Sequence, residues 1–168
     1  MARILMLLRH GKSDWEVDAD DFNRPLKKRG KKAAVRIGLW MRKQKLTPGL
    51  IVTSPALRAL TTAERAGEEL GFADSEIIRD MRLYEAELAD FKTVLSDCPA
   101  DIGRVLLVGH NPGMEILLQY LVAGVETPED GKLLATATLA VLKMPDDWTS
   151  LAEHCAKLVS ITRSSSLS

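Results

Sequence analysis

The chain has 168 residues, 46% of them hydrophobic and 27% charged, and its 23 lysines and arginines balance its 23 aspartates and glutamates. This composition is typical of one soluble globular domain with a sizeable core. It disfavours a nucleic-acid-binding protein, because aromatic residues make up only 5% of the chain and few of them accompany the basic residues, where they would stack on bases.

Charge is distributed unevenly along the chain. Acidic residues cluster between Asp14 and Asp21, whereas the segment from Phe22 to Ala63 contains eleven basic residues and no acidic one. Such a basic segment is most often a solvated helix face. The alternative is a surface over residues 24–45 that receives an acidic partner.

The cysteines and histidines bear on the compartment and on metal binding. Cys98 and Cys155 lie far apart with no metal-ligand spacing around them, which predicts free thiols in a reducing compartment. The N-terminal apolar run is too short for a signal peptide and no stretch approaches a transmembrane span, so we expect a cytoplasmic protein that does not enter the membrane. Because His10, His110 and His154 have no neighbouring ligand clusters, we expect neither a metal nor a cofactor.

Predicted strands and helices alternate along the chain, as in an α/β layered domain. The apolar patterns predict strands over residues 3–8, 50–53, 76–79, 104–108, 138–143 and 157–162, and helices over residues 29–45, 55–70, 90–96 and 112–122. Ser54-Pro55 and Asn111-Pro112 each resemble an N-cap followed by proline at the first helical position. We expect one domain over residues 1–163 and a frayed tail over residues 164–168.

Two histidines follow predicted buried strands. Arg9-His10-Gly11 ends the first strand, and Gly109-His110 ends the strand over residues 104–108. Since ligands in open α/β sheets bind beyond the carboxyl ends of the strands, we expect both histidines to face one crevice. Histidine is a competent nucleophile near neutral pH, and arginine offers a planar fork of donors that suits phosphate oxygens.

Three further residues complete a candidate phosphoryl site. Arg58 lies in the first turns of the helix after Ser54-Pro55, and Asn111 opens a helix beside His110; helix starts favour anions. Glu85 follows a predicted strand and is a candidate proton donor. Taken singly, the candidate residues also fit plainer roles: Arg58 as a solvated arginine, His110 as a hydrogen-bonded core histidine, Asn111 as a generic helix cap and Glu85 as a surface glutamate.

The motifs resemble those of the histidine phosphatase superfamily, which includes phosphoglycerate mutases and small phosphohistidine phosphatases of the SixA type. The SixA type is the best match. The matching segments follow the family's order: Arg9 to Ser13, Arg24-Pro25-Leu26 with Arg29-Gly30, Ser54 to Ala59 with Thr61-Thr62-Ala63, and Val108 to Gly113.

The resemblance implies a three-layer α/β/α sandwich with a central, mostly parallel sheet, phosphoglycerate mutase-like and without a cap domain. It implies that His10 is the nucleophile that becomes phosphorylated, and that Arg9, Arg58 and a cationic His110 hold the phosphoryl oxygens. Glu85 would be the general acid and then the base. Asn111 joins the phosphate-binding set through its position at a helix start.

The expected activity is that of a metal-independent phosphatase with a covalent phosphohistidine intermediate. Its expected substrate is phosphohistidine on a signalling protein, for instance a histidine phosphotransfer domain. Trp15-Glu16 stands where mutases usually carry an asparagine, which argues against mutase activity. Two alternatives remain: a phosphatase of the same superfamily acting on sugar phosphates or other small phosphomonoesters, and a non-catalytic phosphate-binding regulator.

Overall fold

The computed structural model describes residues 3–167. A six-stranded sheet in the order β3-β2-β4-β1-β5-β6 forms its centre. The strands are β1 (Arg3–Arg9), β2 (Leu50–Thr53), β3 (Ile78–Arg79), β4 (Arg104–Gly109), β5 (Thr138–Met144) and β6 (Lys157–Arg163). The helices are α1 (Lys28–Lys43), α2 (Leu57–Glu69), α3 (Leu88–Asp97) and α4 (Gly113–Leu121), and short 3₁₀ helices form at Asp74–Glu76, Met81–Leu83 and Ser164–Ser166.

The sheet separates two hydrophobic cores. Strands β1 to β4 pair in parallel, whereas β5 runs antiparallel to both of its neighbours. Side chains alternate along β1: Leu5 and Leu7 pack in the core that α3 and α4 cover, and Met6 and Leu8 pack in the core that α1 and α2 cover. This alternation follows from the two-residue period of a strand. The predicted three-layer sandwich with a mostly parallel sheet is confirmed.

The starts of two helices differ from the prediction. Helices α2 and α4 begin at Leu57 and Gly113, and no side chain caps either of them. Ser54 instead accepts a hydrogen bond from the N–H of Ala56 at 3.2 Å, before the helix starts. The side chain of Asn111 donates its hydrogen bonds elsewhere. The cap prediction was wrong because Ser54 contacts His110 and Asn111 donates to Leu134, and both of these partners are distant in sequence.

The C-terminal segment, where the sequence predicts a frayed tail, contacts the rest of the fold through Leu167. Ser164 is buried, and its N–H donates to the carbonyl of Ala137 at 3.1 Å. Leu167 packs against the core beneath α1 and α2. These contacts anchor the segment through Leu167, and Ser168 lies outside the described residues. Within residues 3–167, no helix is both long enough and apolar enough to cross a bilayer.

Candidate active site

The parallel pairing of β1 and β4 brings two histidines together. Arg9, the last residue of β1, lies opposite Gly109, the last residue of β4. His10 then donates its backbone N–H to the carbonyl of Gly109 at 3.1 Å. The imidazole rings of His10 and His110 follow directly and lie 5.2 Å apart between their centroids. The two residues therefore share one crevice at the carboxyl edge of the sheet.

Two glycines allow α1 to pack closely on the loop that carries His10. A Cβ atom on Gly30 would lie 2.5 Å from the carbonyl oxygen of Lys12, and one on Gly11 would lie 2.7 Å from the carbonyl oxygen of Gly30. Any side chain at either position would push the helix away from the loop. The Arg29-Gly30 motif thus has a physical reason: it permits this close approach.

His10 is held in a form that leaves one ring nitrogen free. The side chain is buried, and its Nδ1 donates to the carbonyl of Gly11 at 2.7 Å. Because the carbonyl can only accept, Nδ1 carries the proton and Nε2 keeps a lone pair. Burial, with the nearby charges of Arg9 and Arg58, lowers the pKa of His10 to about 4. His10 is therefore neutral and nucleophilic at neutral pH.

A buried threonine fixes the loop to α2. Thr62 is fully buried, and its Oγ1 accepts the N–H of Gly11 at 3.0 Å. The same hydroxyl donates to the carbonyl of Arg58, one turn earlier in α2, at 2.8 Å. One side chain thus connects the backbone next to the candidate nucleophile with the backbone of a candidate phosphate ligand.

Arg9 points a partly unsatisfied guanidinium into the site. One terminal nitrogen donates to the carbonyl of Leu134 at 3.0 Å. Nε is buried without a hydrogen-bond partner among residues 3–167. Burial lowers the pKa of Arg9, and the charge of Glu115 partly offsets this. A buried N–H donor without an acceptor is costly, and an anion would satisfy it.

Arg58 is engaged by Asp21, a residue far from it in sequence. One terminal nitrogen of Arg58 donates to the Asp21 carbonyl at 2.6 Å, and the other donates to Asp21 Oδ2 at 3.1 Å. The hydroxyl of Tyr84 donates to the same Oδ2 at 2.5 Å. These donors, Tyr84 first, lower the pKa of Asp21, so it is an anion at neutral pH. The same bond raises the pKa of Tyr84 to about 12.

Without substrate, His110 is neutral in this site, and its expected cationic form stays a prediction for the complex. Burial, followed by the proximity of His10 and Arg58, lowers its pKa to about 3. Its Nε2 lies 2.8 Å from the hydroxyl oxygen of Ser54, and its Nδ1 is buried without a partner among residues 3–167. A dianionic phosphoryl group would raise this pKa, so a cationic His110 requires the substrate.

The side chain of Asn111 has no free N–H donor for a phosphate. Its side chain has two N–H donors; one reaches Oε2 of Glu115 at 3.1 Å and the other the carbonyl of Leu134 at 2.8 Å. The remaining amide oxygen is an acceptor, which an anion repels. Asn111 lines the crevice, and its side chain braces the segment around Leu134. Its place in the phosphate-binding set, which rests on its position before α4, stays a prediction.

Glu85 lies on the crevice wall with an exposed carboxylate. Its backbone adopts a left-handed conformation, with φ of 55°, which costs a non-glycine residue roughly 1–2 kcal/mol. The start of α4 packs directly on this segment, because a Cβ on Gly113 would lie only 2.7 Å from the carbonyl oxygen of Ala86. The fold thus holds Glu85 at the crevice in a conformation that such a residue seldom adopts.

Asp21 and Arg58 lie where two halves of the crevice meet. The nucleophile half has a volume of about 250 Å³ and is lined by Arg9, His10, Lys12, Ser13, Trp15 and Thr136 in addition to the shared pair. The leaving-group half has a volume of about 460 Å³ and is lined by residues 84–87 and 110–113 and by Ile116, in addition to the shared pair. Substrate can therefore place its phosphoryl group beside His10 and the rest of the molecule along residues 84–87.

Sequence reasoning missed four residues of the site: Ser54, Thr62, Asp21 and Tyr84. Ser54 and Thr62 stand within recognised motifs, so a search for hydroxyls beside Arg58 would have found them. Tyr84 immediately precedes Glu85. Asp21 gave no signal beyond the acidic cluster, since its contacts with Arg58 and Tyr84 join residues 37 and 63 positions apart.

The described residues hold no group of three or more histidine, cysteine, aspartate or glutamate side chains placed to bind a metal ion. Cys98 and Cys155 are free thiols, as predicted. Burial raises the pKa of both.

Comparison with solved structures shows the same architecture over nearly the whole chain. The SixA protein of Nakamurella multipartitia is 26% identical, with a TM-score of 0.82 over 97% of this chain and 96% of that one. A protein histidine phosphatase SixA in complex with tungstate is 21% identical, with a TM-score of 0.81 over 97% and 98% of the two chains. An uncharacterised protein of Mycobacterium tuberculosis is 27% identical over 90% of this chain and 96% of its own length.

The sequence also matches a described protein family. Residues 5–101 match the sequence model of the histidine phosphatase superfamily, branch 1, and this segment covers more than half of the 168 residues. It includes the strand before His10, the start of α2 with Arg58, and Glu85. Together with the shared architecture, this match shows that the chain belongs to branch 1 of the histidine phosphatase superfamily.

Proposed function

We propose that this protein is a phosphatase that carries the phosphoryl group on Nε2 of His10, and that its substrate is phosphohistidine on a protein. The observation that best supports this mechanism is the tautomer and protonation state of His10. Its Nδ1 is tied to the Gly11 carbonyl, and its low pKa keeps Nε2 unprotonated at neutral pH. A buried, neutral and oriented imidazole is prepared for attack on phosphorus.

In the first step, Nε2 of His10 attacks the phosphorus and the bond from phosphorus to the leaving group breaks. Arg9, Arg58 and His110 surround the place where the phosphoryl oxygens would lie. Fixed donors of this kind stabilise the charge of a loose transition state without reorganisation. His110 gains its proton as the dianion enters, because the added negative charge raises its pKa.

In the second step, a water molecule attacks the phosphorus of phospho-His10. The P–N bond breaks, the electron pair returns to Nε2, and inorganic phosphate leaves. Glu85 would give a proton to the leaving group in the first step and take one from this water in the second. Its exposed carboxylate on the leaving-group half of the crevice supports this role.

The shape of the crevice supports a substrate carried on a protein. The connections beside the site are short: residues 54–56 join β2 to α2, and residues 110–112 join β4 to α4. Within residues 3–167 no cap domain encloses the crevice. Apolar side chains remain exposed on its walls, with Trp15 71% and Ile116 48% exposed. An open crevice with apolar walls admits a side chain that projects from another protein, whereas small ligands favour enclosing pockets.

The test compares kcat/KM for a phosphohistidine-bearing phosphotransfer protein with values for sugar phosphates, other small phosphomonoesters and an aryl phosphate. We expect the phosphoprotein to be the best substrate. A sugar phosphate turned over far faster would assign the protein to small-metabolite hydrolysis. Phosphate binding without any turnover would identify a phosphate-binding regulator.

A further inference from the structure

Asp21 is a fixed part of the crevice. The loop that carries it is braced by Arg24, whose guanidinium donates to the carbonyls of Asp14, Val17 and Ala19 at 3.2, 3.2 and 3.0 Å. Phe22, the next residue after Asp21, accepts the N–H of Leu57 at 2.9 Å. The loop is therefore tied to the start of α2, and Asp21 is held beside Arg58.

The contact between Asp21 and Arg58 leaves room for a phosphoryl group. An arginine has five N–H donors, and Asp21 occupies two of those on Arg58. Within residues 3–167, Nε and one hydrogen on each terminal nitrogen have no other acceptor. Asp21 thus orients the guanidinium while a substrate binds to its other donors.

The carboxylate also gives the leaving-group half of the crevice a negative charge. Asp21, Glu85 and Glu87 all line it, and among its described lining residues Arg58 is the one charged cation. Oδ2 of Asp21 is occupied by Tyr84 and Arg58, whereas Oδ1 accepts no hydrogen bond within residues 3–167. A free carboxylate oxygen therefore lies beside the path of the leaving group.

We infer that Asp21 both positions Arg58 and selects the leaving group, favouring neutral or cationic groups over anionic ones. This inference rests on the proposed phosphohistidine activity and extends it. The imidazole that leaves a phosphohistidine can carry a proton, and basic residues beside it would also be attracted by Asp21. A leaving group that carries a carboxylate would be repelled by it.

Two phosphohistidine peptides of equal length test this inference, one with lysines and one with glutamates flanking the phosphohistidine. The chemical step is identical in both, so kcat/KM differs through the flanking charge. The variant is Asp21→Asn, which keeps the shape and an acceptor for Arg58 and Tyr84 but removes the charge. The matched control is Asp18→Asn, because Asp18 is exposed on the same loop. An aryl phosphate, whose leaving group has no charged flanking residues, serves as the reference substrate.

For the wild type we expect the lysine peptide to be preferred by roughly tenfold, the effect of about one charge at a partly screened distance. Asp21→Asn should reduce this preference to about twofold, mainly through KM, and Asp18→Asn should retain it. An equal loss on both peptides in Asp21→Asn, with the preference unchanged, would overturn the inference. Wild-type cleavage of the aryl phosphate but of neither peptide would refute the proposed substrate, and the inference with it, while the phospho-His10 mechanism would stand.

Discussion

The imidazole rings of His10 and His110 lie 5.2 Å apart between their centroids, at the ends of two neighbouring parallel strands. His10 is buried and His110 is partly buried, and burial together with the charges of Arg9 and Arg58 lowers the pKa of both. The site without substrate thus combines two neutral imidazoles with two guanidinium groups. An incoming phosphoryl dianion would supply the missing negative charge.

The neutral state of His10 predicts an unusual pH profile. A histidine with the ordinary pKa of 6.5 would lose nucleophilicity below that pH, whereas the pKa of His10 is lowered to about 4. We therefore expect kcat/KM, corrected for ionisation of the substrate's phosphate, to stay high as pH falls from 7 to about 5 and to decline near pH 4. The pH dependence of kcat/KM reports ionisations of the free enzyme. A decline of the corrected kcat/KM near pH 6.5 would therefore contradict the buried, neutral His10.

Thr62 predicts a coupled effect on stability and activity. In Thr62→Val the N–H of Gly11 loses its acceptor inside the protein, which costs about 1–3 kcal/mol in the free energy of unfolding. The loop that carries His10 also loses its link to α2, so kcat/KM should fall. Denaturant unfolding and steady-state kinetics measure both effects.

Thr61→Val is the matched control for Thr62→Val. Thr61 precedes it in the same helix and is partly exposed. We expect its stability and activity to stay close to the wild type. Equal effects of the two substitutions would show that the hydroxyl of Thr62 has no special role.

Glu85 predicts a loss that depends on the leaving group. In Glu85→Gln the proton donor is removed, so aryl phosphates with poor leaving groups should lose roughly 10²-fold or more in kcat. Good leaving groups and phosphohistidine should lose much less, since they need less protonation in the transition state. Glu153→Gln, at an exposed carboxylate, provides the control. A uniform loss along the substrate series would make Glu85 a positioning residue.

Metal independence is a further prediction. Guanidinium groups of Arg9 and Arg58 provide positive charge at the site, and the mechanism assigns no step to a metal ion. Activity should therefore survive exhaustive chelation and dialysis. Loss of turnover on treatment with EDTA, followed by rescue with one divalent ion, would show that this part of the account is wrong.

The sequence predicted the strands well, because β1, β2, β4 and β5 are apolar runs bounded by glycine, proline or polar residues. The edge strand β3 is shorter than predicted, because it consists of two exposed residues, Ile78 and Arg79. Strand ends in a parallel sheet meet at one edge, so the juxtaposition of His10 and His110 also followed from the pattern. The role of Ser54 could not be predicted from the sequence. Ser54-Pro55 has the local pattern of a helix cap, whereas the contact of Ser54 with His110 joins residues that are distant in sequence. Asp21 could not be placed at all, because only the folded loop brings it to Arg58.

The surface role of α1 stays a prediction. Its exposed basic residues include Lys28, Lys32 and Arg36, as expected for a solvated helix face. Attraction of an acidic partner by this face would appear as an association rate that falls as ionic strength rises.

The most direct test of the account is to find where the phosphoryl group resides during turnover. Rapid quenching of the enzyme with an aryl phosphate or a phosphohistidine protein, followed by peptide mapping at alkaline pH, should identify an acid-labile adduct on Nε2 of His10. His10→Asn, whose amide can still donate to the Gly11 carbonyl, should form no adduct and lose roughly 10⁴-fold or more in turnover, whereas His154→Asn, at an exposed histidine, should form it normally. Normal turnover in His10→Asn, or an adduct on another residue, would contradict the mechanism.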